Sequence, residues 1–244
     1  MTGLVLPADL PELRRPVLIA AFEGWNDAGD AATGAVEHLE VSWLAKKVAS
    51  LEPDDYYDFQ VNRPMVSIVD GDTRRISWPT TRVSVCSPPE ADRDVVLVRG
   101  LEPNMRWRPF CTELLALAAQ LGTELVVTLG ALLADVPHTR PVPVSGSASD
   151  PALARELGLE RSRYEGPTGI VGVFGHEATQ AGLSSLSCWA AVPHYVAAPP
   201  CPKATLALLR RIEDLLDLPE ASGEAIAKEF ERYLKRGGGE GRTE

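Results

Sequence analysis

The sequence predicts an α/β fold built on an open sheet with buried parallel strands, and three stretches predict it. Pro16 to Phe22, Asp94 to Arg99 and Glu124 to Leu129 are short, apolar and rich in β-branched residues, the pattern of strands covered on both faces. The first two run through glycine into segments with helical spacing, as strand and helix alternate in such folds. The third is flanked by Gly122 and Gly130 and ends in a polar loop punctuated by proline.

Taken in order, Pro16 to Phe22 enters the turn Glu23-Gly24-Trp25-Asn26-Asp27-Ala28 and then a helix over Gly29 to Leu44, whose apolar stripe is Ala32, Ala35, Val36 and Leu39. Asp27 or Asp30 is placed to cap that helix, while its first amides would also suit an anion. Leu51 to Val61, with Asp54, Asp55, Tyr56, Tyr57 and Asp58, is expected as an exposed acidic and aromatic edge. Met65 to Val69, Arg74 to Trp78 and Thr81 to Ser87 form a hairpin-like excursion. After Asp94 to Arg99, a helix over Arg106 to Leu121 turns Phe110, Leu114, Leu117 and Leu121 to the sheet. Arg106 and Arg108 near its start oppose the helix dipole, so Glu102 or Glu113 is expected to pair with them.

Asp150 caps a short helix that opens at Pro151 and ends by Gly158. Gly169 to Phe174 is read as a strand with Thr168 at its mouth, followed by a helix over Glu177 to Leu186. Cys188 to Ala198 is the last strand, and Lys203 to Leu216 a helix burying Leu206, Leu209, Ile212 and Leu216. Residues 1–218 are thus expected as one domain. An amphipathic helix over 219–236 follows, with Ser222 as cap and Ile226, Phe230, Tyr233 and Leu234 as stripe; the polar tail 237–244 is expected to be disordered.

The 244 residues carry a formal net charge of −10. A nucleic-acid surface needs clustered Lys and Arg, so nucleic acid is excluded as a partner. No apolar run approaches the ~18 residues of a membrane span, and Asp9 and Glu12 interrupt any secretory pattern. The expected compartment is the cytoplasm, with no membrane partner. Cys86, Cys111, Cys188 and Cys201 form no C-x-x-C pair and are expected as free thiols.

Chemistry is sought at the strand ends, because ligands of open α/β sheets bind beyond the carboxyl ends of the strands. Asp135, His138 and Arg140 follow the third strand in a loop stiffened by Pro137, Pro141 and Pro143. Asn26, Asp27, Thr168 and His194 stand at other inferred strand ends, and these seven residues form the candidate pocket. Asp135 and His138 are expected to pair by a hydrogen bond that holds the loop. In a reaction, His138 or His194 would be acid or base, Asp135 would orient the ring and Arg140 would bind an anion. His176-Glu177 lacks the second histidine of a zinc protease, and no P-loop, dinucleotide fingerprint or G-x-S-x-G is present. No metal and no cofactor is expected.

Several long words in one order carry a resemblance: GWNDAGDAA at Gly24 to Ala32, Trp78-Pro79, EPNMRWRPF at Glu102 to Phe110, GALLADVPHTRPVPVSG at Gly130 to Gly146, GPTGIVGV from Gly166, and WAAVPHYVAAPPCPKATLALL from Trp189. Over about residues 15 to 217 the chain resembles the proteasome assembly chaperone 2 family, and within it the actinobacterial branch. The resemblance implies a three-layer α/β/α sandwich with a mixed, mostly parallel sheet, of the phosphorylase/hydrolase-like kind. Eukaryotic members pair with a related subunit and help assemble proteasome α-rings; the bacterial branch has no settled biochemical role. Two functions follow as expectations. One is a non-enzymatic assembly or scaffolding factor, self-associating as a dimer or trimer and meeting proteasome subunits. The alternative is a small-molecule hydrolase or phosphorylase working around Asp135, His138 and His194. Family members that face the proteasome often end in a hydrophobic residue, a tyrosine and one more; Arg242-Thr243-Glu244 departs from that pattern, so docking by the tail is not expected.

Overall fold

The computed structural model describes residues 3–7, 9–160 and 162–221. Along the chain come β1 (Leu4–Val5), β2 (Val17–Glu23), α1 (Ala31–Ser42), β3 (Lys46–Leu51), β4 (Met65–Val69), β5 (Thr73–Ser77), β6 (Thr81–Cys86) and β7 (Val95–Leu101). Then follow α2 (Trp107–Gln120), β8 (Leu125–Ala134), β9 (Val144–Ala148), α3 (Pro151–Glu156), α4 (Ile170–Gln180), β10 (Ser184–Pro193) and α5 (Pro202–Leu216). Eight strands make one sheet in the order β1-β3-β6-β7-β2-β8-β10-β9, while β4 and β5 form a separate two-stranded sheet. The central four, β7, β2, β8 and β10, run parallel. The outer strands join antiparallel, so the sheet is mixed.

Alternation along β2 shows how the sequence makes three layers. Val17, Ile19 and Ala21 belong to one core with α1 and α5, whereas Leu18, Ala20 and Phe22 belong to the other with α2 and α4. A period of two sends successive side chains to opposite faces, and both faces here are covered, which is why β2 reads as an unbroken apolar run. The second core is centred on Phe22, whose ring meets Phe110 edge-on at 5.7 Å and Phe174 at 6.1 Å.

The structure corrects several expectations. Ile170 to Phe174 is the first half of α4 rather than a strand. Ile170, Val171, Phe174 and Ala178 fall on one helical face, and it is that face that is buried, so tertiary packing overrides the β-branched composition. The helix accordingly ends at Gln180 and the last strand starts at Ser184, earlier than expected, ending at Pro193. Strands β1, β3 and β9 lie where no strand is predicted. β3 exposes Lys46 and Lys47, and β9 follows the proline loop on the sheet edge, so neither shows the buried apolar pattern.

Tyr56 and Tyr57 are buried and not on a surface edge. A 3-10 turn at Pro53–Asp55 directs them inward: Tyr56 packs edge-on against Phe110 at 5.4 Å, and the Tyr57 hydroxyl bonds Thr81 Oγ1 at 2.8 Å and the Leu101 carbonyl at 3.0 Å. Arg106 pairs with Asp55, not with Glu102 or Glu113. Leu206 is half-buried, while Leu209, Ile212 and Leu216 are in the core. All four cysteines are free. The predicted helix stripe from Ile226 and the tail 237–244 lie outside the described residues.

Candidate functional site

Glu23 aligns with Leu101 and Pro193 with Ala134, so the parallel strands end on one side, and the seven candidate residues follow those ends or stand beside them. They fall into two groups, and among the described residues no hydrogen bond joins one group to the other.

The first group is built around the turn after β2. Asn26 accepts the Ala131 amide on its carbonyl at 2.7 Å, which ties the turn to β8. Asp27 is 4% exposed, and its carboxylate accepts from the amides of Ala32 at 2.6 Å and Thr33 at 3.2 Å and from the Thr33 hydroxyl. Burial pushes its carboxyl from 3.8 up to about 6, against the pull of those three donors. Asp27 therefore fills the amide cluster that the sequence also offered to an anion. Asp30, the alternative cap, has a left-handed backbone and makes no side-chain cap bond.

Asn26 turns its side chain the other way. Its Nδ2 donates to Glu102 Oε1 at 3.0 Å, and the same oxygen accepts the Ile170 amide at 2.8 Å. Glu102 thus caps α4 and fastens the ends of β7, β2 and α4 to one another. Gly169 is required here, because a Cβ would stand 2.0 Å from Asn26 Nδ2. Thr168 is exposed just before this cap, its hydroxyl against the first turn of α4 near Gly172. Glu102 was missed as a site residue because the cationic start of α2 offered it a nearer role. The available signal was an acidic side chain at the end of β7, suited to the open amides of a helix start.

The second group lies beyond β8 and β10. Asp135, His138 and Arg140 are exposed, and Asp135 does not bond His138. Tyr195 takes the place expected of Asp135: its hydroxyl accepts the His138 amide at 2.9 Å and lies 3.1 Å from His138 Nδ1. His194 also meets the Tyr195 ring edge-on, with ring centroids 5.4 Å apart. Lys203 donates to the carbonyls of His138 at 2.5 Å and Arg140 at 2.6 Å, pinning the loop from the start of α5. Tyr195 and Lys203, absent from the candidate set, are what hold this loop.

Around both groups the strand ends expose large apolar side chains. Trp25 is 67% exposed, and Met105, Leu132, Leu133, Tyr195 and Val196 are also open to solvent. Among the described residues no group of three His, Cys, Asp or Glu is arranged to hold a metal ion, and no helix is long and apolar enough to cross a membrane.

Comparison with known proteins adds an independent finding. The PAC2 family model matches residues 21–236. A PAC2 family protein of Streptomyces avermitilis is 59% identical, with a TM-score of 0.83, covering 91% of this chain and 95% of its own. A Mycobacterium tuberculosis protein described as a proteasome-assembly chaperone homologue is 56% identical, with a TM-score of 0.81 over 93% of this chain and 97% of its own. An archaeal proteasome activator of Pyrococcus furiosus shares the fold at 18% identity, with a TM-score of 0.75 over 98% of this chain and 100% of its own. No curated protein matches.

Proposed function

The chain belongs to the PAC2 family, and from that premise we propose that it is a non-enzymatic assembly chaperone or scaffold whose partners are proteasome subunits. The description of the 56% identical mycobacterial relative supports that class of partner. The observation that carries the reading is the apolar surface at the strand ends, with Trp25 and Tyr195 among its rings. Exposed apolar area of this kind marks a protein-binding face, and aromatic side chains dominate the energetics of such faces. Asn26, Asp27 and Thr168 shape this surface from beneath or beside it, while Asp135, His138, Arg140 and His194 supply its polar rim. The protein works in the cytoplasm and self-associates as a dimer or trimer.

The test mixes the purified chain with α subunits of an actinobacterial 20S core particle and follows the mixture by size-exclusion chromatography. Co-elution is expected, and Trp25→Ala with Leu133→Ala should abolish it. No co-elution at micromolar concentration, or co-elution indifferent to the double variant, would overturn the proposal.

A further inference from the structure

Trp78 follows the β4–β5 hairpin, which stands apart from both cores, and its indole is 50% exposed. Phe59 backs that indole, with ring centroids 4.9 Å apart and the planes tilted by 59°. A cavity of about 430 Å³ lies against Trp78 where β3 ends and β6 begins, and its other walls include Glu52, Pro53, Asp54 and Thr80. The ring of Pro53 fixes one wall, and the Thr80 hydroxyl donates to the Leu51 carbonyl at 2.6 Å, so the chain itself holds the frame.

Two carboxylates therefore share a cavity with an aromatic face. Glu52 and Asp54 are exposed and take no part in the ion pairs among the described residues, while Arg106 and Arg82 are committed to Asp55 and Glu40. The neighbouring residues show what this chemistry selects. Asp55 pairs with Arg106, whose guanidinium also lies over the Tyr56 ring, 5.8 Å from its centroid. One carboxylate and one ring thus hold a guanidinium between them. At the cavity the carboxylates are two, and the ring is an indole, the aromatic face that attracts a cation most strongly.

We propose that the Trp78 cavity is a docking site for an arginine side chain of a partner polypeptide. A guanidinium is planar, so it stacks on the indole while its fork of N–H donors reaches Glu52 and Asp54; a lysine ammonium offers the charge without the stacking plane or the fork. Because Glu52, Asp54 and Trp78 are all exposed, the cavity opens to solvent and the main chain that carries the arginine stays outside. The formal net charge of −10 favours the approach of such a basic segment. None of these residues belongs to the strand-end face, so this site stands or falls independently of the function proposed above.

The test is a titration followed by the indole N–H resonance of Trp78, assigned by its loss in Trp78→Phe, with circular dichroism to show that each variant is folded. The probe is the blocked tripeptide acetyl-Gly-Arg-Gly-amide. It should shift the resonance saturably, with a Kd in the millimolar range expected of a single side chain. The citrulline peptide, which keeps the shape and lacks the charge, should leave the resonance in place, and the lysine peptide should bind more weakly. Glu52→Gln with Asp54→Asn should weaken arginine binding at least about tenfold. The absence of a saturable shift, equal binding of the citrulline peptide, or an unchanged affinity in the double variant overturns the proposal. A lysine peptide that binds as tightly overturns the assignment to arginine. Agmatine binding more tightly than the tripeptide overturns the polypeptide partner, since it assigns the cavity to a free small cation.

Discussion

The two groups at the carboxyl end of the sheet share a location and are built in opposite ways. Around Asn26, Asp27 and Glu102, polar atoms are deep and each one named has a partner: Asp27 meets three donors, and one oxygen of Glu102 serves both Asn26 and Ile170. Around His138, Tyr195 and His194 the side chains are exposed, and backbone groups do most of the holding. Leaving a buried polar atom without its partner is expensive, whereas an exposed one turns to water. The deep side is therefore committed to architecture, and the open side is free to meet a partner.

The strongest way to break this contrast is Asp27→Ala, which strips the Ala32 and Thr33 amides of their acceptor at the start of α1. A loss of roughly 3–4 kcal/mol is expected in urea unfolding near pH 4, where the buried carboxyl keeps its proton. A loss below about 1 kcal/mol would mean that the cap is not structural.

The same carboxyl supplies a pH test of nearly equal size. Asp27 titrates at about 6 folded against 3.8 as the ordinary value. Because the folded pKa is the higher one, the folded chain holds the extra proton between the two. Stability is therefore full below about pH 4 and falls by about 3 kcal/mol as the pH rises past 6. Asp27→Asn should lack this component, so the difference between the wild-type and variant unfolding profiles isolates it. Parallel profiles would show that Asp27 is not the titrating group.

Gly169→Ala probes the other half of the deep network. The new Cβ forces Asn26 off Glu102, and about 2 kcal/mol should be lost, visible as a lower Tm. Pairing it with Asn26→Ala should recover part of that loss, because the clashing amide is gone; no recovery would place the strain elsewhere.

On the open side, His138→Ala should cost under about 1 kcal/mol, since it removes one exposed hydrogen bond to Tyr195. A melting shift comparable with that of Gly169→Ala would erase the distinction between the two sides.

How much of this was legible in the sequence varies with the reach of each interaction. The β2 turn was readable as a helix cap because Asp27 acts on residues 5 and 6 positions away. The cap of α3 was likewise readable from Asp150, which bonds the amide of Ala152 just beyond Pro151. The pairing of Asp135 with His138 failed because a neighbour in sequence was preferred to Tyr195, which lies 57 positions away. Glu102 failed for the same reason, its partners Asn26 and Ile170 being 76 and 68 positions distant. Tyr56 was placed outside by the acidic residues around it, although its ring fills the core beside Phe110.

By itself the sequence determined the alternation of buried strands with amphipathic helices and the end of the sheet where polar residues gather. It did so because hydrophobic period and capping act within a turn or two of chain. Only the tertiary structure decided that Ile170 to Phe174 is helix, that Asp27 is buried while His138 is open, and that the hairpin stands clear of both cores. Those outcomes depend on which distant segment covers a residue, and burial of that kind has no local signature to read.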